Sequence, residues 1–453
     1  MADTIAAIAT APAAGAIAII RLSGADSAAA AGQVFRAQRA MTEHPREMIY
    51  GSFANAAGEV IDHGLAVYMR APHSYTGEDT VELFCHGSPV VQRELLAALY
   101  RAGARPANPG EFTQRAFLNG KMDLVQAEAV IDLIDAETME SAKNAAAQME
   151  GRMGGEITAV RDRLLNAIAA FYAYVDYPDE EIDMPTLAQT QADLEQACAT
   201  LTQLLGSFDQ GQMIKNGVRT AIIGRPNAGK SSVLNALLGF SRSIVSDIPG
   251  TTRDTVEEKA RVGSVVLHLI DTAGLRRAED RVEQLGIERT GAAVHAADLL
   301  LVVFDGNAPW TAEDEETLQL ARERRAIALV NKSDLPLAIN LARLRDQFGT
   351  RLCIVSAKEQ QGFEALRAAI DEMFAAELPP CDGKIVTNAR HAAALEKARE
   401  HVRHAAEALQ GGLTPDLAIS DMELAVDALG EITGETASEQ VLHRIFERFC
   451  VGK

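Results

Sequence analysis

The chain has 453 residues, too many for one ordinary hydrophobic core, so its length predicts two or three domains. Hydrophobic residues make up 47% of it, which argues against a disordered chain, and the formal net charge of -20 disfavours a protein that coats DNA or RNA non-specifically. The five cysteines contain no C-x-x-C pair, so neither a disulfide framework nor a zinc site of that type is indicated.

The N-terminal segment is rich in alanine but does not have the pattern of a targeting sequence. It lacks a basic start and is interrupted at Pro12 and Gly15. No apolar run in the chain approaches the ~20 residues of a membrane span. We therefore expect a cytoplasmic protein that binds neither membranes nor DNA.

Short apolar runs separated by Gly- and Pro-containing turns characterise residues 1–120. Three of them, at 16–24, 63–72 and 79–89, are typical of strands, and one helical pattern follows near 90–102. This part of the chain is predicted to be an α+β domain.

A change to helical spacing marks residues 121–215, where breakers are almost absent except in an acidic loop at 177–185. Residues 216–375 then alternate five predicted strands with helical or polar stretches, the pattern of a parallel sheet flanked by helices. These apolar runs lie at 218–224, 265–272, 298–305, 326–334 and 351–358. The helical pattern returns over 376–453. The simplest topology is an α/β domain inserted into an all-α domain, whose two parts flank it in sequence.

A phosphate-binding motif begins the inserted domain. GRPNAGKS at 224–231 fits G-x-x-x-x-G-K-S and lies between a predicted strand and a predicted helix. Backbone N–H groups and the helix N-terminus would hold the phosphates, Lys230 would reach the β- and γ-phosphates, and Ser231 would bind Mg²⁺. The residues predicted to contact the nucleotide here are Asn227, Ala228, Gly229, Lys230, Ser231 and Ser232.

A second motif, DTAG, follows the next predicted strand and comprises Asp271, Thr272, Ala273 and Gly274. Asp271 would hold Mg²⁺ through a water, and the Gly274 amide would sense the γ-phosphate. Between the two motifs, GTTRD offers a hydroxyl for Mg²⁺, which we assign to Thr252.

The motif NKSD predicts a guanine site. A carboxylate at Asp334 can accept hydrogen bonds from both N1–H and N2–H₂ of guanine, whereas adenine presents an unprotonated N1 there. Base-contacting residues are predicted in two short segments: Asn331, Lys332 and Asp334, and Ser356, Ala357 and Lys358. Four motifs in this order predict a GTP hydrolase.

The residue that orients the attacking water is not obvious. Leu275 stands where many small GTPases have a glutamine. Arg253, Arg276 and Arg277 are candidates for an arginine finger, but they are equally typical of solvated loop residues. Glu283 can orient the water directly or through another water, or it is a solvated residue at a helix start.

Taken together, the sequence resembles the MnmE (TrmE) family of bacterial tRNA-modifying GTPases over its whole length. The resemblance rests on GRPNAGKSS, DIPGTTRD, DTAGLR, TGEDTVEL, PGEFTQRAFLNGKMDLVQAEA and the tail FCVGK at Phe449–Lys453. It implies a multidomain fold class: an α+β folate-binding-type N-terminal domain that forms a homodimer, an all-α helical domain and an inserted α/β P-loop (Ras-like) G domain.

The resemblance also implies that hydrolysis depends on K⁺, which replaces the positive charge of an arginine finger. The K⁺ ligands carry over as Asn227, Ser246, Ile248 and Thr251, with Ser246 in place of the commoner threonine. Thr252 and Ser231 then bind Mg²⁺, and Glu283 orients the water, so the catalytic residues are Glu283, Lys230 and Asp271. The loop implied to contact GTP comprises Ser246, Asp247, Ile248, Pro249, Gly250, Thr251 and Thr252.

Members of this family act with a flavoprotein, MnmG, in a heterotetramer or larger complex, and FAD and NADH enter only through that partner. The resemblance implies a tRNA substrate in which carbon 5 of the wobble uridine (position 34) receives a carboxymethylaminomethyl or aminomethyl group. The carbon is implied to come from 5-formyl- or methylene-tetrahydrofolate. The folate-binding residues carry over as Arg21, Glu82, Lys121 and Lys453.

Three interpretations stay open at this point. Cys450 is either close to the modification site or simply packed in the fold. His401 and His404 are three residues apart on a predicted helix, but without a visible third ligand we expect two solvated histidines. As a whole, the chain is alternatively a ribosome-assembly GTPase switch, although it lacks the basic appendages typical of such proteins.

Overall fold

The computed structural model describes residues 3–11, 13–176, 187–241, 258–263, 265–270, 294–322, 324–375, 382–411 and 415–453. The chain forms two compact units. The first combines Met1–Ile134, Ala145–Gln203 and Ala393–Lys453, and the second combines Asp135–Asn144 and Leu204–Ala392. In sequence, therefore, most of the second unit interrupts the first. The predicted domain boundaries remain predictions.

The first unit begins with a seven-stranded sheet. Its strands are β1 Ile5–Ile8, β2 Gly15–Ser23, β3 Phe35–Arg36, β4 Ile49–Ala54, β5 Val60–Met69, β6 Thr80–Gly87 and β7 Arg105–Pro106. Their order is β3-β4-β5-β6-β2-β1-β7, and every neighbouring pair is antiparallel except β1 with β7. The three predicted strands of this region correspond to β2, β5 and β6.

Three helices accompany this sheet: α1 Ser27–Val34, α2 Pro89–Arg101 and α3 Glu111–Leu118. Helix α2 coincides with the predicted helix and begins with Pro89, which has no N–H to lose at that position. Leu95 and Leu99 of α2 pack with Ile20, Leu22 and Leu83 of the sheet in one fully buried core.

A run of helices follows, as the periodicity of the sequence predicts. It comprises α4 Leu124–Ile134, α5 Met139–Met149, α6 Arg152–Asp176, α7 Leu187–Gly206 and α8 Phe208–Asn216. The buried residues of α6 recur at helical spacing, at Ile157, Val160, Leu164, Ile168 and Phe171. One face of this helix therefore belongs to the core.

The second unit contains a six-stranded sheet. Its strands are β8 Val218–Ile223, β9 Glu258–Val262, β10 Val265–Leu269, β11 Leu299–Asp305, β12 Ala326–Asn331 and β13 Leu352–Ile354. Their order is β13-β12-β11-β8-β10-β9, and only β9 runs antiparallel to its neighbour. All seven residues of the central strand β11 are buried, as expected where both faces of a parallel sheet are covered.

Besides α8, the described part of this unit contains the helices α9 Lys230–Ser241, α10 Ala312–Ala321, α11 Leu341–Phe348 and α12 Phe363–Ala375. Local capping explains where two of them begin. The Thr311 hydroxyl accepts from the N–H of Asp314 while the Asp314 carboxylate accepts from the N–H of Thr311, and Asn340 caps α11. Two separate apolar clusters lie on the two faces of the sheet.

The chain ends in three helices and a short tail. The helices are α13 Ala389–Gln410, α14 Pro415–Thr433 and α15 Glu439–Phe446. In the first unit, Ile445, Phe446 and Phe449 pack on Leu124 and Val130 of α4. Val451 then forms an antiparallel bridge with Pro109, so the tail lies against the N-terminal domain.

The predicted fold class is confirmed: a multidomain chain with an α+β N-terminal domain, an all-α helical domain and an α/β P-loop domain of Ras-like strand order. None of the described helices combines the length and apolar character that crossing a bilayer requires.

Candidate functional site

The phosphate-binding motif connects β8 to α9 at the centre of the six-stranded sheet. Strand β8 lies between β10 and β11, where the strand order reverses. In open α/β sheets, ligands bind at this switch point, outside the carboxyl ends of the strands. The loop 224–229 is therefore placed where a ligand is expected.

Three residues of the loop adopt backbone conformations that favour glycine or asparagine: Gly224 (φ 152°), Asn227 (φ 61°) and Gly229 (φ 93°). Space restricts both glycines as well. A Cβ at Gly224 would lie 2.3 Å from the Val303 carbonyl oxygen, and one at Gly229 would lie 2.2 Å from Nδ2 of Asn331. The loop thus keeps its backbone close to β11 and β12, with its N–H groups available for an anion.

Lys230 begins α9 and closes the loop on itself. Its Nζ donates to the carbonyl oxygens of Gly224 at 2.8 Å and Arg225 at 2.9 Å. Burial lowers the pKa of Lys230, although the charge of Glu313 opposes the shift. A positive charge poorly solvated by water and bonded only to neutral carbonyls is well suited to phosphate oxygens. Ala228 is buried, whereas Ser231 and Ser232 are exposed on the first turn.

Asn331 ties the phosphate loop to the loop after β13. Its side chain is only 3% exposed. Nδ2 donates to the Ala228 carbonyl at 3.1 Å, and Oδ1 accepts from the Ala357 N–H at 3.0 Å. One amide therefore fixes the spacing between two loops that the sequence separately assigns to phosphate and base.

The carboxylate predicted to recognise guanine is exposed and ionised at neutral pH. Oδ1 of Asp334 accepts from the Ser356 hydroxyl at 2.7 Å, and this bond holds the pKa of Asp334 below its usual value, with help from Lys358 and Lys332. An ionised carboxylate only accepts hydrogen bonds, which suits the two donors on the guanine edge. Ser356 is itself buried, and the Lys358 side chain is exposed.

An ion-pair network that sequence reasoning missed supports these loops. Asp305, at the end of β11, binds Lys332 at 2.7 Å and lies 3.8 Å from Arg225. Arg225 Nε also lies 3.3 Å from Oδ1 of buried Asp314, and this contact is an ion pair without hydrogen-bond geometry. The sequence contained a signal for each acidic residue. Asp305 is the last residue of a predicted strand, and Asp314 is the fourth residue of a T-x-x-D pattern typical of a helix start.

Twelve of the predicted site residues lie outside the described residues. They are Ser246, Asp247, Ile248, Pro249, Gly250, Thr251, Thr252, Asp271, Thr272, Ala273, Gly274 and Glu283. The three arginine-finger candidates, Arg253, Arg276 and Arg277, also lie there, as does Leu275, which replaces the usual water-orienting glutamine. Among the predicted K⁺ and Mg²⁺ ligands, only Asn227 and Ser231 belong to the described part of the chain.

A second polar site lies in the N-terminal domain, around Arg21 and Glu82. The two residues face each other across β2 and β6, and their side chains pair at 2.8 Å with exposures of 18% and 17%. The Arg21 guanidinium also lies 5.5 Å from the ring centroid of Tyr75 and 5.8 Å from that of Phe112. Arg21 and Glu82 therefore form a mostly buried ion pair and not two separate surface charges.

Lys121 lies beside an open cavity of ≈ 480 Å³ that Tyr75 also lines. Lys121 Nζ donates to the Pro72 carbonyl at 3.1 Å. Burial raises the pKa of Tyr75, whose hydroxyl shares a 2.9 Å hydrogen bond with Thr113. The other lining residues are Arg46, Val67, Met69, His73 and Ser74. A flat aromatic surface beside two cations suits a ring system that carries carboxylates.

The C-terminal tail reaches the same aromatic pair. The Phe112 N–H donates to the Lys453 carbonyl oxygen at 3.2 Å, and a Cβ at Gly452 would lie 2.1 Å from the Ile8 carbonyl oxygen. Cys450 is exposed. Four distant parts of the sequence therefore meet here. Arg21 pairs with Glu82 and lies beside both rings, and Lys121 shares a cavity with Tyr75. Lys453 contacts Phe112 through the backbone.

A third polar group accompanies the two histidines of α13, which the sequence did not indicate. His401 and His404 are partly buried, and Asp421 of α14 supplies a third polar group beside them. Sequence spacing could not reveal Asp421, because it belongs to a different helix.

Comparisons with known proteins agree with this division of the chain. The family model described as "MnmE helical domain" matches residues 124–450, and the one described as "GTP-binding protein TrmE N-terminus" matches residues 4–121. The chain is similar over its whole length to proteins named tRNA modification GTPase MnmE. It is 46% identical to that of Chloroflexus aurantiacus, covering 100% of both chains. It is 44% identical to that of Roseiflexus sp., covering 100% of this chain and 99% of the relative.

Among solved structures, the G domain of the T. maritima FeoB iron transporter is 24% identical over 34% of this chain and 97% of that chain. The TM-score is 0.26, so this likeness carries no further conclusion.

Proposed function

We propose a function for this chain, which belongs to the MnmE family of tRNA modification GTPases. It hydrolyses GTP in a K⁺-dependent reaction. This reaction is coupled to modification of carbon 5 of the wobble uridine (position 34) in certain tRNAs. In this proposal the chain forms a homodimer and acts with the flavoprotein MnmG. The product carries a carboxymethylaminomethyl or aminomethyl group whose carbon comes from a tetrahydrofolate derivative.

One observation carries the proposal beyond GTP binding. Four distant segments meet in the N-terminal domain. Arg21 pairs with Glu82 and lies beside the rings of Tyr75 and Phe112. Lys121 and Tyr75 line one cavity, and the Lys453 backbone accepts a hydrogen bond from that of Phe112. The chemistry of this donor set fits a folate. The cations suit its glutamyl carboxylates, Glu82 suits the donor edge of the pterin ring, and the partly exposed ring of Tyr75 suits its flat surface. A G domain acting only as a switch does not require such a site.

For the nucleotide, we propose that Lys230 exchanges the carbonyls of Gly224 and Arg225 for oxygens of the β- and γ-phosphates. The N–H groups of loop 224–229 and the N-terminus of α9 hold the remaining phosphate charge. Asp334 accepts from N1–H and N2–H₂ of guanine while Ser356 keeps its carboxylate oriented. The closed arrangement of these loops depends on Asn331.

The cations of the reaction are proposed on the same basis. Ser231 and Thr252 would hold Mg²⁺, with Asp271 acting through a water, and Asn227, Ser246, Ile248 and Thr251 would hold K⁺. These ions neutralise charge that develops on the phosphates. Asn227 fits such a role, because it is exposed and lies in the phosphate loop with a left-handed backbone conformation. Glu283 would orient the attacking water.

Two measurements test the proposal. The first compares GTP hydrolysis by the full chain in KCl and in NaCl at equal ionic strength. We expect strong slowing in sodium, and equal rates would remove the K⁺ site from the proposal.

The second measurement is nucleoside analysis of wobble uridines in a strain that lacks its own copy of the gene. Complementation with the wild-type chain should restore the modification, and Glu82→Gln should not. Arg39→Gln, which changes an exposed residue of the same domain, is the matched control. Unchanged modification in the uncomplemented strain would favour the ribosome-assembly switch instead.

A further inference from the structure

Three potential metal ligands meet between the last two long helices. His401 and His404 lie on α13, and Asp421 lies on α14. One ligand atom from each lies within 4.8 Å of the others, and this is the only such group of three or more His, Cys, Asp or Glu in the described part of the chain. His401 Nδ1 and Asp421 Oδ1 are 2.9 Å apart.

The geometry is that of a three-ligand site. Residues three apart on a helix lie on the same face, so the two imidazoles project together toward α14. Their rings are 6.3 Å apart and nearly perpendicular. Donors bound to one zinc ion at ~2.0 Å lie a little over 3 Å from one another. If His401 Nδ1 moves slightly away from Asp421 Oδ1 and the His404 ring rotates, the three donor atoms reach the separations that one zinc ion requires.

We propose that His401, His404 and Asp421 bind one zinc-class divalent ion, with a fourth position left to water. Two imidazoles and one carboxylate are the donor set of zinc sites that keep an open position, and borderline nitrogen donors exclude Mg²⁺ and Ca²⁺ as the preferred ions. The half-buried setting, with exposures of 22% for His401 and 26% for Asp421, limits competition from bulk water without the cost of full burial.

The charges around the site permit a cation. Arg403 Nη2 lies 3.0 Å from Nε2 of His404, but Arg403 has a second partner in Glu407 at 2.6 Å. The guanidinium can therefore release the imidazole and remain paired. The ion would connect α13 to α14, the two helices that precede α15 and the tail. Metal binding should then stabilise this helix pair.

The test is binding of Zn²⁺ to the full chain, measured calorimetrically with excess Mg²⁺ present to occupy oxygen-only sites. We expect one Zn²⁺ per chain to be lost, or its affinity to fall by at least about tenfold, in His401→Ala and in the near-isosteric Asp421→Asn. His443→Ala is the matched control. It removes a histidine that also pairs with a carboxylate, Glu447 at 3.3 Å, but belongs to no three-ligand group of described residues. Its binding should equal that of the wild type.

A second measurement uses the wild-type chain alone, so it does not depend on the variants being folded. Co²⁺ bound to the wild-type chain should give the visible bands of four- or five-coordinate cobalt without a thiolate charge-transfer band. The proposal is overturned if Zn²⁺ does not bind, if it binds equally to His401→Ala and Asp421→Asn, or if cobalt is six-coordinate or bound by sulfur.

Discussion

Replacing Asn331 with alanine should weaken GTP binding by removing the contact that joins the phosphate loop to the loop after β13. The Asn331 amide joins the Ala228 carbonyl to the Ala357 N–H inside the protein. Alanine leaves both groups buried without their partner. The two loops then lose the tie that fixes their spacing.

The magnitude follows from those two bonds. A buried polar group left unsatisfied costs about 1–3 kcal/mol. Two such groups at the lower end give about 2 kcal/mol. In the free variant the loops relax to hydrate them, so GTP must restore the buried arrangement at that cost, which corresponds to an affinity loss of about 30-fold. Asn331→Asp separates the two contributions. Its carboxylate still accepts from Ala357 but faces the Ala228 carbonyl oxygen with another acceptor, so the phosphate-loop contact becomes repulsive.

The assay is titration of the full chain with a fluorescent GTP analogue, alongside circular dichroism to show that the variants fold. Asn307→Ala is a suitable control, because this exposed amide donates only to the nearby Pro336 carbonyl. Affinities of Asn331→Ala and Asn331→Asp within threefold of the wild type would refute the reasoning.

A double-mutant cycle tests the packing part of the same argument. A Cβ at Gly229 would lie 2.2 Å from Asn331 Nδ2. Gly229→Ala should therefore cost less affinity in the Asn331→Ala background than in the wild type, since only the strain at φ 93° then remains. Strict additivity of the two changes would place the conflict elsewhere.

Three further predictions concern charge. Asp334→Asn should lower the affinity for GTP and favour xanthosine triphosphate in competition binding. The reason is that the acceptor for N1–H and N2–H₂ of guanine is replaced by an amide that is both donor and acceptor. An unchanged base preference would place the guanine site elsewhere. Burial raises the pKa of Glu111, but hydrogen bonds from Arg105, Asn108 and Arg115 outweigh this effect and leave the pKa below 4.5. The ionised Glu111 therefore stabilises the folded state above pH 4.5, and this stabilisation is lost as the pH falls further. Glu111→Gln should thus lower thermal stability at pH 7, by about 2 kcal/mol for lost charged hydrogen bonds, and the difference from wild type should shrink in acid; a gap independent of pH would contradict the ionic origin. Burial raises the pKa of the Cys85 and Cys353 thiols to about 11, so both should resist alkylation at pH 8. The exposed Cys450 should react under the same conditions. Mass spectrometry of the labelled peptides measures this difference.

Local patterns made much of the fold predictable. Apolar runs at 16–24, 218–224 and 298–305 became strands because a buried strand needs only a short apolar run between turns. The helix over 90–102 was recognisable from its periodicity and its proline start. The phosphate loop could be placed because its glycines and lysine must occur at fixed spacing between a strand and a helix.

Contacts between distant segments were not predictable in the same way. The pairing of Arg21 with Glu82 depends on the register of β2 with β6, and the rings beside Arg21 come from loop and helix residues later in the chain. Asp421 meets His401 only because α13 and α14 pack side by side. Short-range periodicity carries no information about which helix lies next to which.

The position of the tail has a consequence for how the protein is made. Leu124 and Val130 of α4 are translated early, but the residues that cover them, Ile445, Phe446 and Phe449, are translated only after the second unit. Until then the nascent chain carries an uncovered apolar face and a Phe112 N–H whose partner, Lys453, does not yet exist. Because contacts so distant in sequence form slowly, the first unit can complete its core only after the whole of the second has been synthesised. Ribosome-bound chains stalled before α15 should therefore engage chaperones that recognise exposed apolar segments.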